Sequence, residues 1–109
     1  MEPETLEQQV HRVIEIAYKE KFGEKDPETL EKLKKVMQWT VIEGVVYDIT
    51  NYIDDHPGGK KILRGIGKES SEMFGRYHPG LQIAASPLVN MSVGRLDGKP
   101  VTFEPIKKV

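Results

Sequence analysis

His56 is the residue of this 109-residue chain whose neighbours most clearly prepare it for chemistry, because they hold its imidazole in a defined direction. Pro57 has a fixed φ and biases His56 toward an extended backbone conformation. Gly58 and Gly59 have no Cβ atom, so a flat and bulky ligand such as a porphyrin can approach the backbone closely. A neutral imidazole is also the commonest protein ligand of metal ions. The run from His56 to Gly59 therefore predicts one half of a metal-cofactor site.

A strand is predicted immediately before this turn, where it would place the histidine close to the edge of a sheet. Residues 45–49 are rich in β-branched and aromatic side chains, which favour a strand. Thr50 and Asn51 supply polar groups of the kind that commonly end one. The sequence therefore predicts that the chain leaves a strand near residue 50 and turns before it reaches His56.

Further segments extend this pattern along about half of the chain. Tyr47-Asp48-Ile49-Thr50 followed by His56-Pro57-Gly58-Gly59 resembles the core motif of the cytochrome b5 family of haem proteins. The other matching positions are Trp39, Ile42 and Gly44, which resemble the opening strand pair, and Gly67, Glu69, Ser70, Ser71 and Phe74, which resemble a helix of the family. The resemblance runs from Trp39 to about Leu96. It implies that His78 is a second axial ligand of a haem iron, beside His56.

The resemblance also implies a fold class and a division of the chain. The expected fold is α+β and cytochrome b5-like, with a small mixed sheet and helix pairs that form a haem cleft. The expected parts are an N-terminal helical extension over residues 1–36, a haem-binding domain over residues 37–98 and a C-terminal tail over residues 99–109. A chain of this length, of which 38% is hydrophobic, suits one domain with one modest core.

Two amphipathic helices are predicted in the N-terminal extension. Apolar residues recur at helical spacing over residues 4–22, and Gly23 is a plausible stop signal. Asp26 is a candidate N-cap with Pro27 at the first helical position, and a second apolar stripe follows before Trp39. The favoured interpretation is that both stripes cover the core of the same domain. The alternative is that one of them binds a partner.

The predicted coordination limits the chemistry. If His56 and His78 fill both axial positions of the iron, no position stays open for oxygen or peroxide, and one-electron transfer is the expected reaction. The resemblance thus implies an electron carrier, not an enzyme, that binds haem b without a covalent bond and meets a reductase and an electron acceptor. Besides the two ligands, the residues expected to contact the haem are Tyr52, Ile53, Pro57, Gly58, Gly59, Ile62, Leu63, Phe74 and Leu81.

Composition argues against several other classes of protein. The absence of cysteine excludes disulfides, iron–sulfur clusters, thiolate-ligated haem and thioether attachment of haem. A net charge of −1, from 16 basic and 17 acidic residues, argues against general nucleic-acid binding. No apolar stretch approaches the roughly 18 residues that a membrane span needs, and no secretion signal is visible. We therefore expect a soluble, cytoplasmic monomer without a membrane anchor.

Two other functions stay open at this point. A haem protein of the same fold could store, deliver or sense haem, and a relative without haem could serve as a binding module. Zinc is a weaker alternative, because it normally needs three or four protein ligands and His11 is not assigned to the site.

The sequence departs from the resemblance at the expected edge of the haem. Pro79 stands where the family often has a serine that helps to hold a haem propionate, and proline has neither a hydroxyl nor an N–H group. Lys60 and Lys61 stand where acidic residues are frequent. The resemblance therefore implies the same iron ligands but a different charge around the haem edge.

Overall fold

The computed structural model of the protein describes residues 2–24 and 26–107. Its α-helices and strands are α1 (Leu6–Phe22), α2 (Pro27–Val36), β1 (Trp39–Ile42), β2 (Val45–Asp48), α3 (Ser71–Tyr77) and β3 (Ser92–Arg95). Short 3₁₀ helices lie in the connections, over Ile53–Asp55, Gly59–Gly65, Ile83–Ala85 and Pro87–Asn90. The predicted α+β class is confirmed. Parts of the predicted extension and tail, namely Met1, Lys25, Lys108 and Val109, lie outside the described residues.

The three strands form an antiparallel sheet in the order β1-β2-β3. Glu43 and Gly44 connect β1 to β2, and both have positive φ angles, of 51° and 78°, as a tight hairpin turn requires. A register shift interrupts the pairing of β2 with β3 between Val46 and Tyr47. The resemblance implies a mixed sheet, but the three strands are all antiparallel. Within the described residues, the one parallel pairing outside the named strands is an isolated bridge between Val41 and Glu69.

The sheet separates two clusters of buried side chains, because alternate strand residues point to opposite faces. On the outer face, Val41 and Val46 pack with Val13 and Ile14 of α1 and Leu30 of α2. The other face, which we call the inner face, carries Ile42, Val45, Tyr47, Ile49 and Leu88. Burial raises the pKa of Tyr47 to about 12, with a smaller contribution from Glu43, so this phenol stays neutral at physiological pH.

The two N-terminal helices lie where the sequence predicts them. The Thr5 hydroxyl and the Gln8 side chain form a capping box at the start of α1, and the N–H of Gly23 donates to the last turn. The Asp26 side chain caps α2 by accepting a hydrogen bond from the N–H of Thr29. Most residues of both apolar stripes face the outer cluster of the same chain, in agreement with the favoured interpretation, although Val36 at the end of α2 is 67% exposed. The predicted boundaries at residues 36 and 98 stay predictions. No helix in residues 2–24 or 26–107 is long and apolar enough to cross a membrane.

Close packing of α1 on β3 yields a first testable expectation. A Cβ atom at Gly94 would lie 2.8 Å from Cγ1 of Val13, which is nearly fully buried. We expect Gly94→Ala to lower the free energy of unfolding by about 1–3 kcal/mol, because α1 must move away from the sheet. Urea denaturation followed by circular dichroism measures this change.

The companion variant tests the cause. In the double variant Gly94→Ala, Val13→Ala, the methyl groups no longer collide. The loss of stability of the double variant should therefore be smaller than the sum of the losses of the two single variants. A Gly94→Ala protein as stable as the wild type would show that α1 adjusts its position without loss.

Candidate functional site

A cavity of about 640 Å³ lies over the inner face of the sheet and is lined mostly by apolar surface. One wall is the His56 segment, residues 52–62, and the other is the His78 segment, residues 74–81. Eight of the predicted haem-contacting residues line this cavity: Tyr52, His56, Pro57, Gly58, Ile62, Phe74, His78 and Leu81. The volume is within the range of about 300–1,000 Å³ that is typical of small-molecule sites.

The rings of His56 and His78 lie close together in the cavity. Their centroids are 6.1 Å apart and the ring planes are inclined by 67°. A metal–imidazole bond is about 2.0–2.1 Å long, so two imidazoles that bind one metal ion from opposite sides have ring centroids roughly 6 Å apart. The observed separation of 6.1 Å therefore fits a single shared metal ion.

Both histidines bind a backbone carbonyl through the ring nitrogen Nδ1. His56 Nδ1 lies 3.0 Å from the carbonyl oxygen of Gly59, and His78 Nδ1 lies 3.1 Å from that of Phe74. A carbonyl oxygen can only accept, so each Nδ1 carries the proton and each Nε2 keeps its lone pair in the neutral ring. This is the tautomer that a metal ligand needs, and the carbonyl partner also fixes the orientation of the ring.

The turn after His56 builds its own support for the imidazole. The N–H of Gly59 donates to the carbonyl of His56, while the ring of His56 donates to the carbonyl of Gly59. Gly59 has a φ of +66°, a left-handed conformation that favours glycine. At Gly58 a Cβ atom would lie 2.8 Å from Cε1 of the His56 ring. Both glycines therefore help to position the His56 ring. Gly59 does so through its positive φ, and Gly58 does so because it has no Cβ atom to collide with the ring.

His78 is positioned by the end of a helix. It follows α3 directly, and the carbonyl of Phe74 accepts hydrogen bonds from both the backbone N–H and Nδ1 of His78. The rings of Phe74 and His78 are stacked, with centroids 4.6 Å apart and planes inclined by 26°. Tyr52 makes the corresponding edge contact with His56, at 5.9 Å and 74°. Each candidate ligand thus has one carbonyl and one aromatic neighbour.

Three of the predicted contact residues are absent from the lining. Ile53 lies in the 3₁₀ helix before His56, and Gly59 contributes its carbonyl to the ring of His56 from behind. Leu63 is 44% exposed, whereas its neighbour Ile62 faces the cavity. Successive residues of a 3₁₀ helix point about a third of a turn apart, so both cannot face the same wall.

The floor of the cavity is not indicated by any of the sequence patterns described above. Apolar floor residues are Ile42, Ile49, Met73 and Leu88, and polar or small ones include Thr40, Gly65, Ser70 and Ser86. Side chains alternate between the two faces along β1, and along β2 and the residue that follows it. This alternation indicates that Ile42 and Ile49 lie on the inner face, which meets the cavity. The hydroxyls of Thr40 and Ser70 meet at 2.8 Å although the residues are 30 positions apart, and no local pattern indicates that contact.

The chain matches a protein family and several known proteins in sequence. The family model described as a cytochrome b5-like heme/steroid-binding domain matches residues 25–97. A Neurospora crassa protein named as a putative cytochrome b5 is 42% identical over 59 residues, which are 53% of this chain and 70% of that protein. A probable Delta(5) fatty acid desaturase of Dictyostelium discoideum is 36% identical over 59 residues, but these are only 13% of the desaturase.

One solved structure is also similar. Cytochrome b5 of Ostreococcus tauri virus 2 is 36% identical, with a TM-score of 0.47, over 53% of this chain and 75% of that one.

Proposed function

Because this chain belongs to the family of cytochrome b5-like heme/steroid-binding domains, we propose that it binds one haem b between His56 and His78 and carries single electrons between redox proteins. The family model covers well over half of the chain and includes both walls of the cavity. Haem binding in general follows from the family. The ligand pair, the type of haem and the role of a carrier are the parts that we propose.

The observation that carries the proposal is the paired presentation of two imidazoles. Both rings have Nδ1 occupied by a carbonyl, which leaves Nε2 of each available, and the spacing of their centroids suits one metal ion. No group of three or more histidine, cysteine or carboxylate side chains that could hold a metal occurs in residues 2–24 and 26–107. A two-histidine site with mostly apolar walls suits a haem iron, whose equatorial ligands come from the porphyrin.

The surrounding residues would exclude water and stabilise the ring. When bound, haem supplies one-electron exchange between its ferric and ferrous states. Ile62, Phe74 and Leu81 offer apolar surface to a flat ring from the two walls, and Ile42 with Leu88 closes the floor. With a histidine on each side, this chain would offer no open position to oxygen, which favours a carrier over an oxygen-activating enzyme.

The experiment is reconstitution of the purified protein with ferric haem, followed by absorption and electron paramagnetic resonance spectra. We expect stoichiometric binding of one haem and a low-spin, six-coordinate signal. A high-spin signal would contradict ligation by both histidines. A protein that stays colourless would favour the non-haem binding module.

A second measurement separates a carrier from a protein that delivers haem. The reconstituted protein is mixed with an excess of apomyoglobin, and the transfer of haem is followed by absorption. We expect slow transfer, together with rapid reduction by a flavin reductase and rapid oxidation by an electron acceptor. Fast transfer to apomyoglobin would favour storage or delivery of haem.

A further inference from the structure

We propose that Lys61 and Tyr77 form a carboxylate-binding rim at the mouth of the cavity, and that this rim holds a propionate group of the bound haem. The inference rests on the proposed function, because it concerns the cofactor of the same site. It assigns to this chain a polar contact that Pro79, which has no N–H group, does not provide.

The polar groups on the floor of the cavity are already satisfied within the protein. The Thr40 hydroxyl donates to Ser70 Oγ, which in turn lies 3.2 Å from the carbonyl oxygen of Gly65. Ser86 Oγ donates to the carbonyl of Ile83 and accepts from the N–H of Leu88. These hydroxyls lie in buried residues, so the floor offers little to an anionic group. A carboxylate must therefore lie at the mouth.

Lys61 is the one lysine, arginine or carboxylate among the described residues that line the cavity. It is exposed, and it makes no ion pair within the described part of the chain. Its neighbour Lys60 is also exposed but is not part of the lining. An ammonium group with three donors at the mouth of an apolar cavity can pair with a carboxylate and still remain hydrated.

Tyr77 provides a second donor on the opposite wall. The hydroxyl of Tyr77 accepts a hydrogen bond of 3.1 Å from Nη1 of Arg64, and the side chain is 49% exposed. Since the oxygen accepts from a guanidinium, its own proton is left for another acceptor. Tyr77 lines the cavity and Arg64 does not, which places the positive charge behind the phenol. The pair is thus arranged to donate to an anion at the mouth.

Nearby acidic residues do not compete for this role. The Glu69 carboxylate accepts hydrogen bonds from the N–H and the hydroxyl of Ser71, and Glu72 lies 4.0 Å from Arg76. Asp54 and Asp55 are exposed in the 3₁₀ helix before His56 and are not part of the lining. The mouth therefore keeps a net positive character. A haem propionate is the carboxylate that the proposed function brings to it.

The test compares Lys61→Gln with Lys60→Gln, a matched control that removes the same charge from the adjacent position. Both proteins are loaded with haem and with the iron complex of the dimethyl ester of the same porphyrin, in which the carboxylates are blocked. Release is measured as transfer to apomyoglobin. We expect Lys61→Gln to speed the release of haem about fivefold and to leave the release of the ester unchanged. Lys60→Gln should change neither rate.

Two further readouts test the same idea. Raising the ionic strength should speed haem release from the wild-type protein and have less effect on Lys61→Gln, because salt screens an exposed ion pair. Tyr77→Phe should speed haem release about twofold to fivefold, again without effect on the ester.

The outcomes separate this inference from the proposed function. If the wild-type protein gives a low-spin, six-coordinate spectrum but Lys61→Gln and Lys60→Gln release haem at the same rate, the rim is wrong and the ligand pair stands. An equal effect of Lys61→Gln on haem and on its ester also overturns the rim, because it would show a contact other than with the carboxylate. If the wild-type protein binds no haem, both proposals fail.

Discussion

A His78→Ala protein is expected to lose the low-spin, six-coordinate iron signal and to bind haem more than about 100-fold less tightly than the wild type. Even the outer-shell partners of metal ligands typically change metal affinity by about 10–100-fold, so a ligand itself should have a larger effect. The imidazole of His78 is fixed by a hydrogen bond to the carbonyl of Phe74 and by stacking on its ring. The remaining histidine, His11, lies on α1 and is not among the residues that line the cavity.

His56→Ala should give the same spectroscopic loss, since both histidines line the cavity and both are proposed ligands. His11→Ala is the matched control, because it removes the third histidine of the chain. His11 lies on α1 beside Glu7, at 3.8 Å, and its loss should change neither the spectrum nor the haem affinity.

Added imidazole tests whether His78→Ala loses the signal because the iron loses a ligand and not because the protein unfolds. The space left by a missing side chain can admit free imidazole, so millimolar imidazole should restore a six-coordinate spectrum to His78→Ala. Circular dichroism of the apo-protein reports whether the variant is folded. A folded His78→Ala protein with the unchanged wild-type spectrum would end the assignment of His78 as a ligand.

Much of the fold could be predicted because it depends on short-range rules. Thr5 and Asp26 cap helices whose apolar spacing is visible in the sequence, and Gly23 ends the first of them. The β1–β2 hairpin agrees with the resemblance, which assigns Trp39, Ile42 and Gly44 to the opening strand pair. The α+β class, which the resemblance implied, is confirmed by the helices and the sheet, and the family is confirmed by the family model that matches residues 25–97.

The lining of the cavity was harder to predict, because it depends on the direction in which each side chain points. Residues 59–65 form a 3₁₀ helix of seven residues, longer than the three or four that are usual. Ile62 and Leu63 are both apolar, so their residue types alone do not tell which of the two faces the cavity. The hydrogen bond between the hydroxyls of Thr40 and Ser70 joins β1 to the start of α3, and only the tertiary structure reveals it. The roles of His56 and His78 stay predictions.

Gly58→Ala is expected to weaken haem binding about 10–100-fold without unfolding the protein. Gly58 has a φ of −78°, which alanine adopts without strain, so the backbone should accept the change. The added Cβ would, however, lie 2.8 Å from Cε1 and 3.3 Å from Nδ1 of His56. The ring must rotate away, which breaks the hydrogen bond to the Gly59 carbonyl and changes the direction of Nε2. The predicted loss of haem affinity therefore arises from a changed orientation of the His56 ring.

Gly75→Ala is the matched control for this variant. Gly75 lies inside α3, close to the cavity, and a Cβ atom there would meet nothing within 4 Å. Alanine is about 1 kcal/mol better than glycine in a helix interior, so this variant should be more stable and bind haem as the wild type does. Haem titration and paramagnetic resonance measure the two variants side by side. If Gly58→Ala matches Gly75→Ala in haem affinity and spectrum, the close packing of the glycine on His56 does not hold the ligand in place.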